Sequence, residues 1–337
     1  MPIVNVYKYL GIYFSTKLSF SVACKDLASR AKHALIYIMH KLKTLDSQSF
    51  DVLMKVFDAQ IQPIVQYGAE LWGLDQSATF CERPHLYALK KFLGVSIQTP
   101  NDLVYGELNR YPIYINSALR CIRFWLKLTR MEEDRLPRKA YRMLLSLDEK
   151  GKINWVTKVR MKICESGFGH VWLNQGVEDI NGFVHMFKQR LIDCRWQDWN
   201  RHMQESDRFN VYKMLNSLHE IPLYLHLSLC RQVKYILCKF RFGVSDLLIH
   251  KYRYSNSSLS RLTCPLCNEE QENEIHFVLK CPVLFNIRKQ YIPFKYYKYP
   301  CMFRLILLMT TPNEIITRNF AIFLYKAFQF RMTLIDE

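Results

Sequence analysis

Cys264-Pro265-Leu266-Cys267, followed after eight residues by His276 and after four more by Cys281, constrains this chain more than any other stretch. One tight knuckle can turn two thiols separated by two residues toward the same ion. A third thiol and an imidazole complete the soft donor set that suits zinc (Zn2+). Four protein ligands close a tetrahedral sphere, whereas a hydrolytic zinc keeps one position open for water. The spacing therefore predicts one structural zinc and a small module folded around it. The bland alternative, three buried cysteines and a satisfied histidine brought near by chance, stays open in a chain with eleven cysteines.

The other eight cysteines (Cys24, Cys81, Cys121, Cys164, Cys194, Cys230, Cys238 and Cys301) have no paired short spacing and lie in apolar segments, as buried free thiols do. No secretory pattern precedes them, so the expectation is an intracellular protein of nucleus or cytoplasm rather than a secreted disulfide framework. The longest apolar run, Leu305 to Met309, is far short of the roughly 20 residues that span a bilayer.

With 337 residues, half of them hydrophobic, the chain can bury a large core in two or three units. Its pattern is mainly α. Val6 to Phe14, rich in aromatic and branched residues around Gly11, reads as two short strands about a kink. Helical spacing then takes over, with Ala31, Leu35, Ile38 and Leu42 on one face of a first helix and a second helix from Ser49 disturbed by Pro63. Further helices are expected over 80–93, 115–130, 137–147, 153–166, 183–203 and 223–240. The polar stretch Leu147 to Lys152 and the serine-rich stretch Tyr254 to Ser258 read as boundaries. The resulting division is 1–18 for the hairpin, 19–147 and 152–254 for helical regions, and 255–337 for the metal module with its C-terminal helices.

A net charge of +17 favours a polyanionic partner, for which nucleic acid is the common choice. Arg120, Arg123, Lys127 and Arg130 recur at spacings of three, four and three, confining them to one helical arc opposite Leu119, Ile122, Trp125 and Leu126. Arg135, Arg138, Lys139 and Arg142 extend the basic character, and Arg231, Lys234 and Arg241 are expected to share a face of another helix. Three segments interleave cations with rings. In Lys239 to Gly243 (with Arg241 and Phe242) and in Lys251-Tyr252-Arg253-Tyr254, the rings suit stacking on unpaired bases, with ordinary amphipathic packing an equal alternative. The third, Phe294 to Tyr299, reads as packing, with rings inward and cations outward. The acidic runs Glu132-Glu133-Asp134 and Glu269-Glu270-Gln271-Glu272 read as solvated faces. Phosphate-loop, dinucleotide, zinc-protease and nucleophile-elbow patterns are absent, and no small-molecule substrate is implied.

Three segments carry a family resemblance. Val6-Tyr7-Lys8-Tyr9-Leu10-Gly11-Ile12 resembles the segment after the catalytic palm in reverse transcriptases of LINE-type non-LTR retrotransposons, where a Tyr-Leu-Gly hairpin grips the primer. Tyr67-Gly68-Ala69-Glu70-Leu71-Trp72 is similar to a segment of the helical region beyond it. Phe240-Arg241-Phe242-Gly243 with Cys264, Cys267, His276 and Cys281 is similar to the family's zinc-binding element. The three occur in family order and together cover most of the chain. The resemblance implies a primer-grip-like role for Tyr9, Leu10 and Gly11, a thumb and connection built of helices, and RNA or an RNA–DNA duplex as partner. It also implies what is missing: the family's paired polymerase aspartates have no counterpart, since the chain contains no Asp-Asp dipeptide, and Met1 falls where the palm ends. The expectation is a non-catalytic nucleic-acid-binding fragment, with polymerisation conceivable only alongside a separately encoded palm. Alternatives from other classes are a zinc-stapled helical module for acidic protein partners and a relic of a truncated element.

Overall fold

The computed structural model describes residues 4–43, 50–206, 209–215, 220–252 and 262–336. It is mainly helical, opens on a two-stranded antiparallel hairpin, and divides into two compact units.

The first unit takes residues 4–43, 54–88 and 111–199. Strand β1 (Val6–Tyr9) pairs with β2 (Ile12–Ser15), Val6 opposite Ser15 and Tyr9 opposite Ile12. The two-residue connection is Leu10-Gly11, both at positive φ (44° and 83°), the backbone that lets a hairpin keep its right-handed twist. The helix Ser21–Lys43 buries Cys24, Leu27, Ala31 and Leu35 at spacings of three and four, about two turns N-terminal of where the sequence pattern began; the side chain of Leu42 lies outside the described residues.

Pro63 disturbs its helix in a specific way. It has no N–H to offer the carbonyl of Ala59, and the preceding turn, Phe57–Ile61, widens to i→i+5 bonding before the regular helix Gln62–Val65 resumes. Phe57, Ile61, Val65, Ala69 and Trp72 then line a core with Leu27, Ala31 and Leu35.

The short helix Ala69–Trp72 packs on the long helix Ile113–Thr129. That helix places Leu119, Ile122, Trp125 and Leu126 in a second core of the unit, shared with the helices Leu136–Glu149, Trp155–Glu165, Gly169–Leu173 and Ile180–Glu205. Trp125 stacks on Trp172 at 5.5 Å and donates its indole N–H to the Tyr141 hydroxyl at 3.1 Å, so its polar edge is satisfied inside the core.

The polar stretch at Leu147 to Lys152 is a helix terminator within this unit. Gly151 sits at φ 76°, Gly151 N–H reaches Asp148 O and Lys152 N–H reaches Leu147 O, the paired bonds of a Schellman cap. The helices on either side, Leu136–Glu149 and Trp155–Glu165, pack together, and Asn154 caps the second.

The second unit takes residues 50–53, 89–110, 200–206, 209–215, 220–252 and 262–336. Its helix Arg231–Arg241 lies along the C-terminal helix Glu314–Asp336, with Phe240 edge-on to Phe320. The helix expected over 223–240 is broken. Leu223–His226 is one turn, Leu227 is extended (ψ 145°), and helix resumes only at Arg231. Leu225 and Leu227 are both buried, and side chains two residues apart face one way only in extended chain.

Candidate metal centre and basic surfaces

The cysteine-histidine cluster sits in the second unit. Leu262 to Gln271 forms a small hairpin closed by the Thr263–Gln271 bridge, Cys264 N–H to Glu270 O (2.8 Å) and Glu272 N–H to Leu262 O (2.7 Å). At its tip Asn268 takes the left-handed conformation (φ 57°), which Asn tolerates, and its N–H closes the knuckle on Cys264 O at 2.9 Å. His276 opens the wide helical turn His276–Lys280, held by its N–H to Asn273 Oδ1, and Cys281 follows directly.

The donor atoms of Cys264, Cys267, His276 and Cys281 all lie within 4.8 Å of one another. Cys267 Sγ is 3.3 Å from His276 Nε2, close to the roughly 3.6 Å that a sulfur and a nitrogen subtend around tetrahedral zinc. The surroundings favour thiolates. Backbone N–H groups of Leu266 and Cys267 point at the Cys264 sulfur, and those of Val283 and Leu284 at the Cys281 sulfur. The Cys264–Cys281 hydrogen bond, with burial, pushes Cys264 up to about 12, while the same bond lowers Cys281. Three sulfurs and an imidazole crowded this way fit a divalent soft-ligand metal.

Around the cluster lie residues to which the sequence pattern gave no part in it. Glu270 Oε2 is 3.5 Å from His276 Nδ1 and 3.1 Å from Lys280 Nζ, so the carboxylate faces the nitrogen left over when Nε2 meets a metal. Glu272 is fully buried, a correction to the solvated reading of the run 269–272. It accepts two hydrogen bonds from Arg331 (2.5 and 2.8 Å) and one from Leu248 N–H. Arg288, also buried, donates to Val278 O and Cys281 O. Arg331 and Arg288 were not legible because nothing in local spacing links them to the cluster.

The basic residues separate into three groups. Arg120, Arg123 and Lys127 on the helix Ile113–Thr129, and Arg130 at its C-cap, are all exposed, opposite buried Leu119, Ile122, Trp125 and Leu126. Arg120 pairs with Glu70 at 3.2 Å, and Arg130 donates to the carbonyls of Val177 and Glu178. Arg138 bonds Leu128 O and Glu133, so it is spent on fixing the helix junction, whereas Lys139 is exposed.

Arg231, Lys234 and Arg241 share one arc of the helix Arg231–Arg241, but that arc is not an exposed basic surface. Arg231 is exposed, Lys234 is half-buried and donates to Leu225 O, and Arg241 is buried against Glu107 (2.6 Å) and Met309 O (3.2 Å). Tyr224 OH donates to the same Glu107 oxygen. Phe242 is buried edge-on to Tyr212 and presents no face to a base. Both corrections have one cause: residues 240–242 end a helix that runs through the unit's core. Lys251, near Asp246, and Tyr252 are exposed, while Arg253 and Tyr254 lie outside the described residues.

In the first unit two separated motifs meet. Tyr67 OH donates to Leu10 O at 2.7 Å, Arg30 reaches Gly11 O, and Trp72 Nε1 donates to Tyr67 O at 3.0 Å. Gly68 (φ 68°) lies so close to Ile12 that a Cβ there would be 2.1 Å from Ile12 Cδ1. Tyr9-Leu10-Gly11 and Tyr67-Gly68-x-x-x-Trp72 are thus two halves of one contact, with Tyr9 and Leu10 exposed on top of it.

The remaining cysteines are free, and the expectation of burial holds only in part: Cys24, Cys81, Cys121 and Cys238 are buried, Cys194 is half-buried, and Cys164, Cys230 and Cys301 are exposed. Among the described residues, no helix is long and apolar enough to cross a membrane. The chain matches no protein-family model, no curated protein and no solved structure.

Proposed function

We propose that this chain is a non-catalytic nucleic-acid-binding part of a retrotransposon-type reverse transcriptase, gripping RNA or an RNA–DNA duplex by its phosphates, with one structural zinc on Cys264, Cys267, His276 and Cys281. The observation that carries the reading is the exposed cationic run on two adjoining helices. Arg123, Lys127 and Lys139 project from the helices Ile113–Thr129 and Leu136–Glu149, whose opposite faces are occupied by a core. Cations fixed on one side of a rigid scaffold hold a backbone without reading sequence. The zinc contributes shape rather than chemistry, because four protein ligands leave no position for water. The contact of the Tyr9-Leu10-Gly11 turn with Tyr67 and Gly68 supports the resemblance, since it joins two motifs quoted independently for it.

The test is fluorescence anisotropy with a labelled RNA hairpin and an RNA–DNA duplex across a salt series. The expected result is binding at low salt that weakens linearly in log–log form, and a slope smaller by about 2–3 for Arg123→Ala/Lys127→Ala/Lys139→Ala. Absence of binding to either probe at about 50 mM salt overturns the proposal.

A further inference from the structure

Between Glu274 and Glu314 the chain contains no Asp or Glu, yet it carries Lys280, Arg288, Lys289, Lys295, Lys298 and Arg304. This acid-free stretch begins inside the metal module and continues through the helices Phe285–Tyr291, Phe294–Tyr297 and Met302–Met309. The sequence pattern assigned its rings to packing, and the structure divides them. Tyr296 is buried, but Phe294 is 61 % exposed and Tyr299 and Phe303 are each 67 % exposed.

Large exposed rings are costly to leave in water, and here three of them fall within ten residues, Phe294 and Phe303 on two helices that pack together and Tyr299 in the bend between them. They are held in place. Phe294 is braced edge-on by Tyr297 at 5.3 Å, and Lys298 lies 5.2 Å from the Tyr299 ring centre. The support behind them leads back to the metal ligands: Arg288 stands 5.9 Å from the Tyr297 ring and donates to Cys281 O at 2.8 Å. The brace of Phe294 is thereby tied to the metal module.

We infer that Phe294, Tyr299 and Phe303 form a stacking platform for unpaired bases, with Lys289, Lys295 and Lys298 receiving the phosphates of the same single strand. The inference rests on the nucleic-acid reading above and deepens it by naming the form bound at this site. Charge complementarity selects the occupant. A stretch that exposes Lys289, Lys295 and Lys298 and contains no carboxylate of its own repels a basic protein face and suits a polyanion, and the rings supply what a polyanion with π-faces can use.

The experiment measures anisotropy of labelled rU12, dT12 and a 12-base-pair duplex on the zinc-loaded full chain, comparing wild type with Phe294→Ala/Tyr299→Ala/Phe303→Ala and with the corresponding triple leucine variant. Because the three rings are surface-borne, zinc content and circular dichroism are expected to stay at wild-type values. Stacking is expected to show as a loss of about 100-fold or more for the single strands in both variants, at unchanged duplex affinity. Leucine keeps apolar bulk without a π-face, so recovery of binding in the leucine variant overturns stacking. Duplex binding without single-strand binding, or equal affinities in all three proteins, overturns the platform while the duplex reading stands. Failure to bind any probe overturns both. A dimer that the alanine variant dissociates, with rU12 affinity unaltered, assigns the rings to self-association and overturns the platform as well.

Discussion

Arg241→Ala separates a core role from a surface role most sharply. In the wild type the guanidinium makes two hydrogen bonds to Glu107 (2.6 and 3.3 Å) and one to Met309 O, and both side chains are sealed from solvent. Alanine leaves the Glu107 carboxylate with Tyr224 OH as its remaining hydrogen-bond partner (2.9 Å) in the core. Breaking one side of a buried pair in this way costs about 3–5 kcal/mol. With a urea slope of about 1–3 kcal/mol per molar, the unfolding midpoint falls by roughly 1–5 M. Circular dichroism in a urea titration reads this directly. Glu107→Gln/Arg241→Met is expected to recover most of the loss, since Gln still accepts from Tyr224 and an apolar partner of similar volume replaces the cation. If Arg241→Ala leaves the midpoint unchanged and instead lowers the salt slope of RNA binding by about 1, the guanidinium meets phosphate and the burial argument fails.

Three further outcomes are expected. Glu270→Gln weakens zinc affinity by about 10- to 100-fold, measured by competition with a chromogenic chelator, because His276 Nδ1 loses the carboxylate it faces at 3.5 Å; unaltered affinity rejects that role. Gly68→Ala lowers stability by about 1–3 kcal/mol in thermal unfolding, from a left-handed backbone and contact with Ile12, and Ile12→Val partly relieves it; a neutral substitution contradicts the close approach. Arg160, hydrogen-bonded to Asp148 at 2.9 Å, holds that carboxyl below its ordinary value of 3.8. A depressed folded pKa means stabilisation that is present above the unfolded value and is lost as pH falls through the lower folded one. Asp148→Asn therefore flattens the acid limb of a stability–pH profile below about pH 4, and a profile identical to wild type excludes the linkage.

The local sequence was sufficient for features whose physics is local. Ligand spacing in Cys264-x-x-Cys267 is a property of one knuckle, and the donor atoms do converge within 4.8 Å. The apolar arc of Ile113–Thr129 depends on a period of 3.6, and the bend between the two strands depends on Gly11, which takes positive φ without a Cβ penalty. Predominant helix and the opening hairpin were legible for the same reason.

Tertiary structure decided which polar and aromatic groups face water. Arg241 and Glu107 are separated by 134 residues, and Glu272 and Arg331 by 59, so no window of sequence distinguishes these buried pairs from solvated charges. The two ring-and-cation segments exchange roles for that reason. Phe242 closes a core because the helix it ends runs through the middle of the second unit, while Phe294 and Phe303 on short helices, and Tyr299 between them, stay outside because so little chain covers them. Composition and period specify which residues can be buried together; whether a given ring is buried depends on what the rest of the chain places over it.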